Sequence, residues 1–299
     1  ELRNPGLRIL PTVVGKLMKD NGLDILKSKI KLLRPLLKKG AIDENIVDFL
    51  RTNSEYLIKF LFVPLFDVRF DEIKRITINK RIKDNENRRI ININHLKYPK
   101  EEYVKRYGRA NYNFQSRLYA TFDPITAINE MKPEIGDLIT ESTWKLKENC
   151  YLKVAPIFMI TTKDNIVHNE ISLRFKIAFE NLMTKYSKNE SCQYIELLEF
   201  VSECFAKDVE YGNSYDYFLS AFFSNKIFNE INNGEVEAIV YPSVQSNLAF
   251  SNIVIKPKAF ETNYEFKQAE EKIVLSKKPW HLRNNGICKS VETEILKWK

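Results

Sequence analysis

Arg109, Tyr119 and Glu130 stand within one short block, YGRANYNFQSRLYATFDPITAINE, running from Tyr107 to Glu130. Arg109 lies in a glycine-led turn, Gly108-Arg109-Ala110-Asn111. Tyr119 follows ten residues later in a strand-like run, RLYATF, and Glu130 eleven later at the end of a helix-like run, PITAINE. A cation, an aromatic ring and a carboxylate thus come from a turn, a strand and a helix. That set suits a ligand with phosphates, a flat ring and a sugar bond to be broken. A guanidinium grips phosphate oxygens through paired donors. A tyrosine ring stacks on a flat heterocycle. A carboxylate stabilises positive charge that grows on a sugar as its leaving group departs. Each residue type also has an ordinary role, as a surface arginine, a core tyrosine in a strand, or a solvated glutamate at a helix end beside Lys132.

These side chains need a frame, and the hydrophobic pattern supplies one. Residues 1 to about 65 read as helical: in Leu23 to Lys39, Leu26, Ile30, Leu33 and Leu37 recur at three- and four-residue steps with lysines opposite. Pro35 divides that helix, and Asp43 begins a second through Val47 and Leu50. This basic amphipathic region suits packing on the main domain or a second subunit better than a membrane surface. From about residue 70 the texture changes. Ile73 to Ile82 alternates as a half-buried strand does, Ile90 to Ile93 is a short strand candidate, and Lys100 to Arg106 a short helix. Arg117 to Phe122 reads as a strand, after which Asp123 caps a helix opened by Pro124. Strands are expected at Trp144 to Leu146, Cys150 to Ile160, Ala238 to Pro242 and Asn252 to Lys256. Helices are expected at Ile171 to Tyr186, Gln193 to Ala206 and Ser214 to Ile231, the last with an aromatic stripe that reads as core. The last forty residues add edge strands, Ile273 to Leu275 the clearest. The predicted division is a helical extension, 1–67, and a catalytic domain, 68–299.

Composition bounds the alternatives. The chain has 299 residues, 44% of them apolar, enough for a full core. No apolar run approaches the roughly 20 residues that span a membrane; the longest, Tyr56 to Phe66, is broken by Lys59 and Pro64 and reads as a buried segment. No secretory signal is read. Cys150, Cys192, Cys204 and Cys288 form no CxxC pair, and His95, His168 and His281 are scattered. No metal site is expected, and reduced cysteines in a cytoplasmic protein are. The formal charge is +8, and Lys74 to Arg109 holds twelve Lys/Arg against four Asp/Glu. That run suits a small anionic ligand and a solvated face better than nucleic acid.

In order, YGRAN, RLYATF, TAINE and, about a hundred residues on, VYPSV followed by SNIVI resemble the RES family, named for its Arg, Glu and Ser, over roughly residues 70 to 265. The resemblance implies a mixed α/β, ADP-ribosyltransferase-like fold with a split, antiparallel-rich sheet flanked by helices. It implies an NAD-degrading enzyme of the bacterial toxin type, held in check by an antitoxin or another regulatory partner. By position, Arg109 matches the family's GR turn, Tyr119 its LY strand, Glu130 its TAxxE helix and Ser243 its YPS strand end. An earlier strand arginine matches Arg81 best and Arg75 second. Asn111 and Asn252 join these as expected NAD contacts. Two departures bear on the pocket mouth: Val244-Gln245-Ser246-Asn247-Leu248 stands where glycines often follow YPS, and Tyr112-Asn113-Phe114 replaces the usual glycine near the turn.

The expected reaction is cleavage of the nicotinamide–ribose bond of NAD, with water as acceptor. Transfer of ADP-ribose to a protein or nucleic acid is the alternative, and a non-catalytic basic module on nucleic acid a further one. Glu130 is the expected catalytic carboxylate. Nicotinamide leaves neutral, so no general acid and no cofactor beyond the substrate is needed. A homo-oligomer is expected, with the N-terminal helices as a candidate dimerising or gating element.

Overall fold

The computed structural model describes residues 22–158, 169–210 and 212–299. Expectations that fall on residues 1–21, on the end of the Cys150–Ile160 strand and on His168 lie outside the described residues. Helix α1 (Gly22–Leu33) buries Leu26, Ile30 and Leu33, the stripe its spacing predicts. Pro35 ends it in a 3₁₀ turn, Arg34–Leu37. Asp43 caps the turn before α2 (Val47–Ile58), its carboxylate accepting from the Asn45 amide at 2.9 Å. Both helices share one apolar core with the sheet, and the segment from Phe60 to Phe66 runs through it buried at every position.

Among the described residues the strands form one ten-stranded sheet, in the order β1-β5-β6-β7-β3-β2-β4-β8-β9-β10. In chain order these are β1 (Phe66–Val68), β2 (Glu72–Ile78), β3 (Leu118–Thr121), β4 (Leu138–Leu146), β5 (Leu152–Pro156), β6 (Ala238–Pro242), β7 (Ser251–Ile255), β8 (Tyr264–Lys277), β9 (Trp280–Glu292) and β10 (Ile295–Trp298). Neighbours run antiparallel except β5 and β6. Pairing is continuous between β2 and β4, from Glu72↔Lys145 to Ile78↔Ile139. Between β2 and β3 it shrinks to one pair, Lys74↔Thr121. The sheet therefore has a seam at its middle, and the candidate site opens there.

Helices α3 (Pro124–Met131), α4 (Glu170–Met183), α5 (Lys188–Ala206), α6 (Phe218–Asn229) and α7 (Pro257–Asn263) complete the mixed α/β architecture. The aromatic stripe is core, as its density predicts: Phe218, Phe222, Phe223 and Phe228 are buried. Among the described residues no helix is long and apolar enough to cross a membrane. All four cysteines are free.

Three local expectations are corrected. The Ile73–Ile82 strand stops at Ile78, because buried Asn79 donates to the Arg88 carbonyl and Glu271, accepts from Thr140, and turns the chain into a 3₁₀ turn that carries Arg81. Ile90 to Ile93 is no strand. The Asn92 side chain accepts from the Asn94 amide at 2.8 Å and starts a turn there, a side-chain substitute for ladder pairing. The expected helix from Lys100 to Arg106 is one 3₁₀ turn, Glu101–Tyr103. Helix α7 went unpredicted, although Pro257 occupies its first turn as proline often does.

Candidate active site

Helix α3 exists to its last turn because both ends are defined. Asp123 Oδ1 accepts from the Thr126 amide at 2.7 Å. Lys132, in the left-handed conformation, stops the helix just after Met131. Ala127 and Ile128 pack on Ile76 and Ile78 of β2 and on Val274 of β8. Trp280 Nε1 donates to Asn129 Oδ1 at 2.8 Å from the other side. Glu130, next in sequence, is thereby aimed at the seam. Its Oε1 accepts from Ser243 Oγ at 2.6 Å and from Asn252 Nδ2 at 2.7 Å. A helix C-terminus does not favour a carboxylate, so these two donors offset the local field and hold the charge in one place. Oε2 carries no hydrogen bond among the described residues.

Ser243 is fully buried at the end of β6, its amide donating to the Phe250 carbonyl at 2.8 Å. Asn252 lies on β7 opposite Thr121 of β3 and Tyr241 of β6. It is buried too, and its Oδ1 has no hydrogen-bond partner among the described residues. The bond to Glu130 fixes which end of this amide is the donor, so Oδ1 remains as an acceptor beside the carboxylate.

The GR turn is pinned to the neighbouring strand. Tyr119 Oη accepts from the Ala110 amide at 2.8 Å and donates to Asn111 Oδ1 at 2.7 Å. Gly108 makes this approach possible: a Cβ there would meet Asn111 Oδ1 at 2.2 Å and the Tyr119 hydroxyl at 2.9 Å. Burial pushes the Tyr119 phenol well above its ordinary value, so it stays protonated and keeps donating. Its hydroxyl is thus committed to the turn, which ties the ring and the turn together.

Arg109 Nη1 donates to the carbonyls of Phe205 and Lys207 at the end of α5, the second at 3.1 Å. Its guanidinium lies 5.1 Å from the centre of the Tyr217 ring. No carboxylate pairs with it among the described residues, so its charge is not cancelled locally. Arg75 of β2 reaches across the seam, Nη1 donating to the Tyr119 carbonyl at 2.9 Å. Its Nε is buried without a partner among the described residues. Burial lowers this guanidinium to about 10, and it remains a cation at neutral pH.

These groups meet in one cavity of about 240 Å³, lined by Arg75, Arg109, Asn111, Tyr119, Glu130 and Asn252 among others. Ser243 bonds to Glu130 from behind that lining. Arg81, the first candidate for the upstream arginine, is not there. The turn after Ile78 carries it to an adjoining cavity, and Arg75, the second candidate, takes the wall position. Sequence reasoning also missed Tyr217, read as core stripe but lining the cavity at the turn before α6. It missed Lys207 and Asp216, whose buried side chains meet at 2.5 Å behind Arg109. No spacing signal could have joined that pair. Among the described residues no cluster of His, Cys, Asp and Glu is arranged to hold a metal ion.

No protein-family model matches this chain. No curated protein matches it either.

Proposed function

We propose that this chain breaks the nicotinamide–ribose bond of NAD, as its resemblance to the RES family implies. The observation that carries the reading is Glu130, a carboxylate held on one oxygen by Ser243 and Asn252 at the wall of a cavity that also holds two arginines without carboxylate partners. Buried polar atoms without partners call for an explanation. Asn252 Oδ1 and Arg75 Nε are an acceptor and a donor of that kind lining the same cavity from its two sides. The Asn252 oxygen suits an N–H of the carboxamide or a ribose hydroxyl, and Arg75 suits a phosphate oxygen.

In this reading the Tyr119 ring sets the angle of the nicotinamide. Oε2 of Glu130 faces the ribose, on a hydroxyl or below C1′. The C1′–N bond breaks with its electron pair going to the ring nitrogen, which turns the cationic pyridinium into neutral nicotinamide. Positive charge develops on C1′ and the ring oxygen, and the nearby carboxylate stabilises it. Water adds to C1′ and releases a proton, giving ADP-ribose. The brace on Glu130 matters because preorganised charge need not reorient as the reaction proceeds.

The test is direct. Purified protein and a Glu130→Ala variant are incubated with NAD, and free nicotinamide and the ribose product are followed. Release by the wild type, reduced on the order of 10²–10³-fold or more in the variant, is expected. Equal release from both would remove Glu130 from the chemistry, and no release from either would count against the reading.

A further inference from the structure

Arg75 and Met131 line two cavities, so the 240 Å³ cavity that holds Glu130 adjoins a second of about 700 Å³. The first lies below the roughly 300–1,000 Å³ usual for small-molecule sites, and the second lies within it. A dinucleotide whose nicotinamide sits beside Tyr119 must continue somewhere, and the shared wall is one exit. The chemistry of the second cavity is that of an anion site. Arg81, Lys83 and Lys100 line it, and their side chains make no hydrogen bond or ion pair among the described residues. Of its two carboxylates, Glu261 is taken by Lys97 at 3.1 Å and by the Tyr98 hydroxyl at 3.0 Å, leaving Asp84 against three cations. Tyr98 and Tyr103 add ring faces, Tyr103 being 54% exposed.

We propose that this second cavity takes the adenosine diphosphate end of the dinucleotide, with Arg75 at the joint. The proposal rests on the NAD reading of the first cavity. Arg75 suits the joint because its Nη1 is fixed on the Tyr119 carbonyl while its buried Nε has no partner. A pyrophosphate oxygen passing from one cavity to the other supplies that partner. Arg81, Lys83 and Lys100 then neutralise the diphosphate, and a tyrosine ring takes the adenine face. It follows that the chain selects dinucleotide over mononucleotide through residues remote from Glu130.

The experiment uses the full chain and a triple variant, Arg81→Ala, Lys83→Ala and Lys100→Ala. All three side chains are exposed, so folding is not at stake, and a matched unfolding curve checks this. Rates of nicotinamide release are measured with NAD and with nicotinamide mononucleotide, and ADP-ribose is titrated calorimetrically into both proteins. The expected result is a fall of about tenfold or more in the preference for NAD over the mononucleotide, carried by KM and not kcat, with ADP-ribose affinity falling in parallel. An unchanged preference, in a protein whose NAD cleavage still needs Glu130, would overturn the cavity assignment and leave the NAD reading standing. Where the wild type cleaves no NAD, the titration decides alone: ADP-ribose bound by the wild type and lost in the triple variant supports the assignment. ADP-ribose that binds neither protein, or both equally, overturns it. So does a single-stranded oligonucleotide that binds through these three cations and is not displaced by ADP-ribose.

Discussion

Arg109 lays its guanidinium on the backbone carbonyl of Lys207, 3.1 Å away. The Lys207 ammonium in turn meets Asp216 at 2.5 Å and the Leu36 carbonyl at 3.0 Å, with both charged side chains almost wholly buried. Asp216 also accepts from the amides of Gly40 and Ile42, and its neighbour Tyr217 supplies the ring beside Arg109. The stretch after α1 thus closes the frame in which Arg109 sits. Removing one partner of a buried pair costs about 3–5 kcal/mol. Lys207→Met is expected to lower stability by that amount and to raise KM for NAD in protein shown to be folded at low temperature. A stable variant with wild-type KM would show that the frame does not set Arg109.

The same pair has a pH signature. Burial pushes the Asp216 carboxyl up, but the Lys207 ammonium and the amides of Gly40 and Glu210 outweigh it and hold it below its usual 3.8. A carboxyl depressed by folding contributes stability that is present above its unfolded value and is lost as pH falls through its folded value. Asp216→Asn is expected to be less stable at pH 7 and to lose less Tm between pH 5 and pH 2. Parallel Tm profiles for the two proteins would reject this account.

Ser243 and Asn252 both end on Oε1 of Glu130. A hydrogen bond to a charged group contributes about 1.5–3 kcal/mol, so Ser243→Ala and Asn252→Ala should each lower kcat roughly 10- to 100-fold. Their combined loss should exceed the product of the two, because either donor alone still holds the oxygen and only the double variant releases it. A double-mutant cycle measures it; independent, fully multiplicative losses would contradict a shared brace.

Gly108→Ala tests the closeness of the turn. Its methyl group would stand 2.2 Å from Asn111 Oδ1, so the Asn111–Tyr119–Ala110 network must open. Loss of nearly all activity, with a Tm within a few degrees of wild type, is expected for this half-exposed turn. Retained activity would mean that the network is dispensable.

Much of the frame was legible because local chemistry decided it. Asp123 and Pro124 announced α3, Pro35 divided the first helix, and AIVYP is β6 to the residue. The turn, the strand, the helix and the YPS strand end do converge on one cavity. What stayed hidden depends on contacts distant in sequence. Arg75 outranks Arg81 because Asn79, bonded to Glu271 192 residues on, ends the strand early. Lys207 and Asp216 meet only once α5 and the turn before α6 are packed together. Tyr217 differs from its buried phenylalanine neighbours by its position at that turn and not by its type.

The single pair that joins β2 to β3 has a mechanical meaning. Glu130 rides on a helix seated against β2, whereas Ser243 directly follows β6 and Asn252 belongs to β7, both beyond β3. The walls of the slot are thus two jaws with almost no backbone ladder between them. Their spacing is set by side chains that reach across: Glu130 toward Ser243 and Asn252, and Arg75 toward the Tyr119 carbonyl. A ligand seated in the slot adds a rivet to the same gap, and the width of the aperture is tuned by a few replaceable atoms while the sheet on either side keeps its register.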